Sequence, residues 1–410
     1  MRRTGVLAAV AGSSLAAAAW AGSPDQDRAY AAELKADSLN KSSALDSTAA
    51  EGDTKVVLGG FTQFRYTMNF RDQPDVPGLP HQSGFTNGFE AERTRLQATG
   101  NVMSKDFTFK VEGQFDSSGD FQLLDAFAAW SYGNGMTAIF GQFQNPLWRE
   151  WALSPHGELG ADYSVATGVF NPGYSQGVAW NYKVDAWNVL VALDDGFRAG
   201  NTPYDGANEA DIGLTGRFEF KGGGDWNVFN DFSGWRGQDT AWLVGLGAHW
   251  QHNGDTSADV VVAQTQIVEC ALDAQFEGNG WNAYGGIIWQ HVDPDTGGGS
   301  STDDFGVVLQ GGYFFTDNVE GFVGWNGIFV DDSYGPGLDN SFNTAMLGVN
   351  FFPFAKSSAI KFTTDLQWFF DPTTTNGQVA PYAASNNTVG LLPSTEDNQV
   401  AVRFQLQVTF

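Results

Sequence analysis

From Val56 to the end of the chain, apolar and polar side chains alternate with a period of two, broken only by polar or glycine-rich stretches. The last strand shows it best. Val400, Val402, Phe404, Leu406, Val408 and Phe410 share one face, and Ala401, Arg403, Gln405, Gln407 and Thr409 share the other. An apolar face this regular, opposite a face that carries a charge, calls for an apolar medium on one side and water on the other. The same alternation predicts sixteen strands, near 56–69, 89–102, 107–115, 121–132, 136–144, 174–182, 186–194, 208–220, 240–251, 265–277, 281–292, 303–315, 319–331, 341–352, 359–370 and 398–410.

The connections alternate between short ones, such as Gly133-Asn-Gly135 and Gly278-Asn-Gly280, and longer ones. Short periplasmic turns with long outer loops, and an even strand number, are the rule for outer-membrane barrels. Residues 226–235 could be a further strand, but counting them would invert that alternation downstream, so they read as an unusually long periplasmic turn. The expected fold is all-β: a transmembrane antiparallel β-barrel of sixteen strands whose last strand ends in Phe410. A barrel of that size is wide enough for an aqueous channel rather than a packed interior.

The first residues change the picture of where the chain works. Met1-Arg-Arg leads into a short apolar run from Gly5 to Ala19 and a small-x-small site at Ala19-Trp20-Ala21, the pattern of a secretory signal peptide over 1–21. Residues 22–54 read as a short periplasmic helix or linker, and 55–410 as the barrel. No other stretch approaches the ~20 apolar residues of a membrane helix.

Composition agrees, with 51 Gly, 14 Trp, 11 Tyr and 33 Phe supplying turns and interface aromatics. The single Cys270 excludes a disulfide framework within the chain and falls on the lipid side of its strand. The net charge of -26 becomes -28 once the signal, with its two Arg and no acid, is removed. That acidity excludes a nucleic-acid partner. Much of it sits in expected loops, at Asp194-Asp195, Asp303-Asp304 and Asp331-Asp332, as a solvated rim or as anchors for divalent cations against lipopolysaccharide.

Cations are few, so their places matter. Arg65, Arg93, Arg95, Lys110 and Arg403 all fall on inward positions of strands one, two, three and sixteen, which become neighbours when the barrel closes. A wall of guanidiniums suits an anion track, since each presents a fork matched to phosphate or carboxylate oxygens. Glu90, Glu92, Glu112 and Asp125 lie on or near the same strands, so a cross-strand ion-pair lattice fits equally well. The 145–173 loop carries Trp148, Arg149, Glu150, Trp151, Glu158 and Asp162, more aromatic and charged than an external loop needs. Folded into the lumen it would form a constriction; packed outside, it would cover its neighbours.

Enzyme chemistry finds no foothold. The five His (His81, His156, His249, His252, His291) show no metal spacing, no G-x-S-x-G elbow is present, and no cofactor or metal site is expected.

Several stretches resemble the phosphate-selective porin O and P family. They are Gly60-Phe-Thr-Gln-Phe-Arg-Tyr66, Phe89 to Gly100 with Arg93 and Arg95, Phe121 to Ala126, Gly141 to Glu150, Gln310-Gly-Gly-Tyr-Phe314 and the Phe-terminated last strand. The resemblance implies a sixteen-stranded, usually trimeric outer-membrane channel, some members passing phosphate along lumenal Arg and Tyr. The expected function is therefore passive diffusion of small hydrophilic solutes and ions, with anions such as phosphate among them. The alternative is a non-transporting barrel, an adhesin or structural surface protein with calcium-bridged acidic loops.

Overall fold

The computed structural model of the chain describes residues 54–72, 83–204, 209–253, 265–294, 299–335, 337–385 and 387–410. The expected signal peptide and linker, through residue 53, lie outside the described residues, as do His81 and 295–298 of the acidic 293–304 run.

Sixteen strands pair in sequence order, each antiparallel to the next, and the last closes on the first. They are β1 (Lys55–Phe70), β2 (Phe85–Val102), β3 (Ser104–Asp116), β4 (Phe121–Gly133), β5 (Met136–Gln144), β6 (Tyr174–Lys183), β7 (Trp187–Asp194), β8 (Ile212–Gly222), β9 (Ala241–Asn253), β10 (Thr265–Gly278), β11 (Trp281–Pro294), β12 (Thr302–Phe314), β13 (Val319–Phe329), β14 (Ser341–Phe351), β15 (Ile360–Phe369) and β16 (Gln399–Thr409). The seam sets Phe64 opposite Leu406 and Thr67 opposite Arg403. Phe410 lies one residue past β16, yet Phe410 N donates to Gly60 O at 2.9 Å and Gly60 N to Phe410 O at 2.8 Å. Closure leaves no free sheet edge, which is what a β-structure needs to cross hydrocarbon.

The pattern of burial is inverted relative to a soluble protein. Phe64, Leu96, Val111, Leu246, Leu272 and Leu347 are exposed on the outer face, while Arg65, Arg93, Thr215, Gln275 and Gln407 are buried within. Only lipid makes an outer face like this stable. Aromatic side chains gather at both ends of the wall. Phe107 and Trp130 stack at 5.7 Å, and Trp187 and Phe220 at 4.3 Å, at the end that holds the C-terminus. Phe70 and Phe85 (4.9 Å) and Trp368 and Phe370 (5.0 Å) mark the other end. These are the two interfacial belts of a membrane barrel.

Residues 226–235 hold no strand: Trp226–Asn230 is a short 3-10 turn within the connection from β8 to β9. Some bounds move, β2 beginning at Phe85 and β8 at Ile212.

One expectation is corrected. The interior is not simply an aqueous bore. Inward side chains Tyr284, Ile288, Val308, Phe322, Phe342 and Phe369 from β11–β15 pack with Leu147, Trp148, Leu159, Val165 and Phe170 of the 145–173 loop into a buried apolar core. One side of the lumen is filled.

Candidate functional site

The lumen is shaped by three connections that fold into it. Residues 145–173 enter between β5 and β6, where Asn145 N donates to Gly173 O at 3.1 Å and closes the neck. Asn145 Nδ2 then donates to Thr215 Oγ1 at 2.9 Å, and Arg217 Nη1 to Leu147 O at 3.0 Å, so the segment starts against β8. A single helical turn, α1 (Arg149–Ala152), follows, with Arg149 N donating to Asp273 Oδ2 at 3.1 Å and Arg149 Nε to Gln275 Oε1 at 3.0 Å.

The tip reaches the opposite wall. Lys361 Nζ donates to Glu158 O at 2.7 Å, Gln407 Nε2 to His156 O at 3.1 Å, and Arg65 Nη2 and Gln405 Nε2 to Ala161 O at 2.9 and 3.0 Å. The return leg carries α2 (Val165–Phe170), whose cap Ser164 accepts from Thr167 N. Glu150 links the two helices, its carboxylate accepting from Ser164 N (2.6 Å), Ser164 Oγ (2.9 Å) and Thr167 Oγ1 (2.6 Å).

A second segment, 370–398 between β15 and β16, also turns inward. It carries α3 (Val379–Ala384), and Val379, Ala383, Val389 and Leu391 join the lumenal core. Arg65 Nη1 and Arg403 Nη1 both donate to Thr388 O, and Asn69 Nδ2 donates to Gly390 O at 2.8 Å. A Cβ at Gly168 of α2 would stand 2.4 Å from the Tyr382 ring, so only glycine lets α3 approach this closely. Nothing in the alternation of the sequence marks this segment, whose residues are small and polar.

The third segment is the connection from β8 to β9. Phe232 N donates to Gly157 O at 2.9 Å, Gln275 Nε2 to Asp231 O at 2.7 Å, and Arg149 Nη2 to Phe229 O. Phe232 packs its ring on Tyr284 at 4.7 Å. This turn braces the tip of the 145–173 loop from the end that holds the C-terminus.

The five wall cations are matched by five carboxylates. Arg65 and Arg93 each pair with Asp162 (2.9 and 2.8 Å) and with Glu92 (3.2 and 3.4 Å). Arg95 pairs with Glu112 (3.2 Å), Lys110 with Glu112 and Asp125 (both 2.6 Å), and Arg403 with Asp365 (2.6 Å). A register shift beside Gln63 and Phe64 turns Glu92 and Arg93 to the same inner face; a bulge re-aims neighbouring side chains in this way. Burial pushes the Asp162 carboxyl up, but Arg93 and Arg65 outweigh it and hold it below the usual carboxylate range. Burial, and after it Glu150, pushes Glu158 well above that range.

Among the described residues, a cavity of about 380 Å³ is set against β2–β4. Arg93, Arg95, Gln114 and Gln122 form its wall side, Trp151, Tyr163 and Tyr174 face it from the 145–173 loop and its exit, and Tyr382 and Ser385 close it from the second segment. Arg198, from the connection between β7 and β8, completes it. Its Nη2 and Nε donate to Val169 O (2.9 Å) and Asn171 O (3.2 Å) at the end of α2. Among the described residues, no carboxylate lines this cavity.

Of the residues singled out in the sequence, Arg93, Arg95 and Trp151 line the open space. Arg65, Arg403, Trp148, Arg149, Glu150, Glu158 and Asp162 are buried in the packing that holds the loop, and Lys110 sits behind Arg95 in the ion-pair lattice. Arg198 and Tyr382 were missed by sequence reasoning because irregular segments bring them in, and Tyr174, the first residue of β6, was missed as well. His249 is bonded to Thr215 Oγ1 (2.7 Å) and Gln251 Oε1 (3.0 Å), a satisfied lumenal side chain.

No family model and no curated protein matches the chain. Solved structures do. The chain is similar to the outer membrane channel DcaP of Acinetobacter baumannii, at 15% identity and a TM-score of 0.57 over 88% of this chain and 99% of that one. It is similar to an anion-selective porin from Comamonas acidovorans, at 14% identity and a TM-score of 0.59 over 87% and 100%. A trimer form of OmpT of Vibrio cholerae aligns at 12% identity and a TM-score of 0.53 over 87% and 99%. At such identities the likeness concerns the fold alone, a closed β-barrel like those of these outer-membrane proteins.

Proposed function

We propose that the protein is an outer-membrane porin, exported by its signal peptide, through which small hydrophilic solutes and ions diffuse passively with a preference for anions. The observation that carries this reading is the lining of the cavity: among the described residues it holds three guanidiniums, from Arg93, Arg95 and Arg198, and no carboxylate, in a chain with a net charge of -26. The carboxylates that neutralise the wall stand behind the arginines, so an ion in the cavity meets donors first. Trp148, Arg149, Glu150, Glu158 and Asp162 hold the 145–173 loop across the lumen, and the loop with Trp151 acts as the constriction. Phosphate is among the anions the motif resemblance suggests, and lipopolysaccharide and two further copies of the chain are the expected neighbours in the membrane.

The filled side of the lumen favours one other reading, a barrel that conducts nothing and presents its acidic loops as an adhesin or structural surface protein. Planar-bilayer recording separates the two. Stepwise conductance, with a reversal potential under a potassium chloride gradient that favours chloride, supports the porin. A folded barrel that never conducts supports the second reading.

A further inference from the structure

Resting on the anion-channel reading, we infer that the cavity selects planar aromatic monocarboxylates, benzoate-like solutes, over aliphatic acids and over inorganic phosphate. Two features of the cavity lead there. The first is its aromatic side. Trp151 packs against Tyr163 (centroids 5.6 Å apart, 44° between planes) and meets Tyr174 edge-on (6.0 Å, 75°), and all three line the cavity together with Arg93 and Arg95. Tyr382 closes the space from the second segment. A planar ring between such side chains finds stacking and edge-to-face partners, and a guanidinium accepts a ring on its flat face as well as a carboxylate on its edge.

The second feature is the state of the cations. Arg93 is already engaged by Asp162 and Glu92, and Arg95 by Glu112. The field of these two is therefore that of paired charges, positive at contact and weak beyond it, while Arg198 is held by two carbonyls at the end of α2. A doubly charged, strongly hydrated phosphate loses far more solvation on entering than such a site returns. A monocarboxylate gives up less, and its ring, poorly hydrated from the start, gains contact with the aromatic side. The volume of about 380 Å³ falls within the range of small-ligand pockets, about 300–1,000 Å³.

The experiment compares benzoate with cyclohexanecarboxylate, acids of the same charge and similar size that differ in the planar ring. Full-length protein in a planar bilayer is held under bi-ionic conditions, chloride on one side and benzoate, cyclohexanecarboxylate or inorganic phosphate on the other. Benzoate is expected to permeate about threefold or more better than cyclohexanecarboxylate, the scale of one aromatic pairing, and better than phosphate. Trp151→Leu, which keeps an apolar side chain and removes the ring, is expected to bring the benzoate-to-cyclohexanecarboxylate ratio close to one. A ratio near one in the unaltered protein, or phosphate passing better than benzoate, overturns the inference and leaves the anion channel standing. So does a Trp151→Leu channel that keeps the full ratio. If that variant does not fold, the ratios in the unaltered protein decide. A folded barrel with no chloride current overturns the channel reading itself, and this inference with it.

Discussion

Arg93 Nη2 lies 2.8 Å from Asp162 Oδ2, and this contact ties β2 to a loop that leaves the wall three strands later. Both side chains are buried, and Arg65 shares the same carboxylate oxygen at 2.9 Å. Asp162→Asn keeps the shape and removes the charge, leaving two guanidiniums with one counter-charge fewer. Breaking a buried pair costs about 3–5 kcal/mol, so the variant should unfold at lower temperature in detergent. Channels that do fold should show a reversal potential shifted further toward the anion. An unchanged unfolding temperature would mean that this pair does not hold the loop.

The brace from the β8–β9 connection can be tested at Phe232, which is fully buried against Tyr284. Phe232→Ala should cost about 3–5 kcal/mol and loosen the tip of the 145–173 loop. Single-channel records should then show larger open-state noise than the parent protein. Noise equal to the parent's would place the brace outside the control of the pore.

The approach of α3 to α2 predicts a coupled pair. In Gly168→Ala the new methyl meets the Tyr382 ring, which must move, at about 1–3 kcal/mol. Tyr382→Ala removes the obstacle. The double variant should therefore be more stable than the sum of the single losses implies, and a thermodynamic cycle on detergent-folded protein measures the difference. Strict additivity would count against the contact.

Asp231 gives a pH prediction. Burial pushes its carboxyl up to about 6, from an unfolded value near 3.8. A raised folded pKa means that the folded state binds the proton more tightly. The stability this group contributes is complete below about pH 3.8 and is lost as pH rises through 6, a change on the order of 3 kcal/mol for a shift of about two units. Asp231→Asn should abolish this part of the pH dependence. Glu277, Glu320 and Lys361 stand nearby in both proteins. The measurement is therefore the difference between Asp231→Asn and the parent in unfolding temperature at pH 4.5 and pH 7.5.

The wall was legible from the sequence because lipid and water impose opposite demands on successive residues. All sixteen strands fall where the alternation puts them, within a few residues. The filled side of the lumen was not legible. On β13, inward Phe322 and outward Val323 are both apolar, so the face that meets the 145–173 loop carries no contrast with the face that meets lipid. Five inward cations were legible from register, although Arg217, Lys221 and Lys361, also buried on the inner face, were not singled out; the division between lattice and lining was not legible. Arg65 is capped by Thr388 O and Asp162, and both partners come from irregular backbone. Arg198 and Tyr382 lie outside the strands, where no periodicity reports a direction.

The hydrogen bond from Gln407 Nε2 to His156 O joins residues 251 positions apart and reaches the last strand. Pairing of β1 with β16 is likewise the last pairing the chain can make as it is threaded into a membrane. The carbonyls of the loop tip thus find their donors on Lys361, Gln405 and Gln407 only when the sheet is almost complete. Contacts of such sequence separation form slowly, since the loop they close must be ordered before any bond rewards it. Anchoring of the loop tip on β15 and β16 is therefore among the last steps of assembly, after its stem has met β8 and β10.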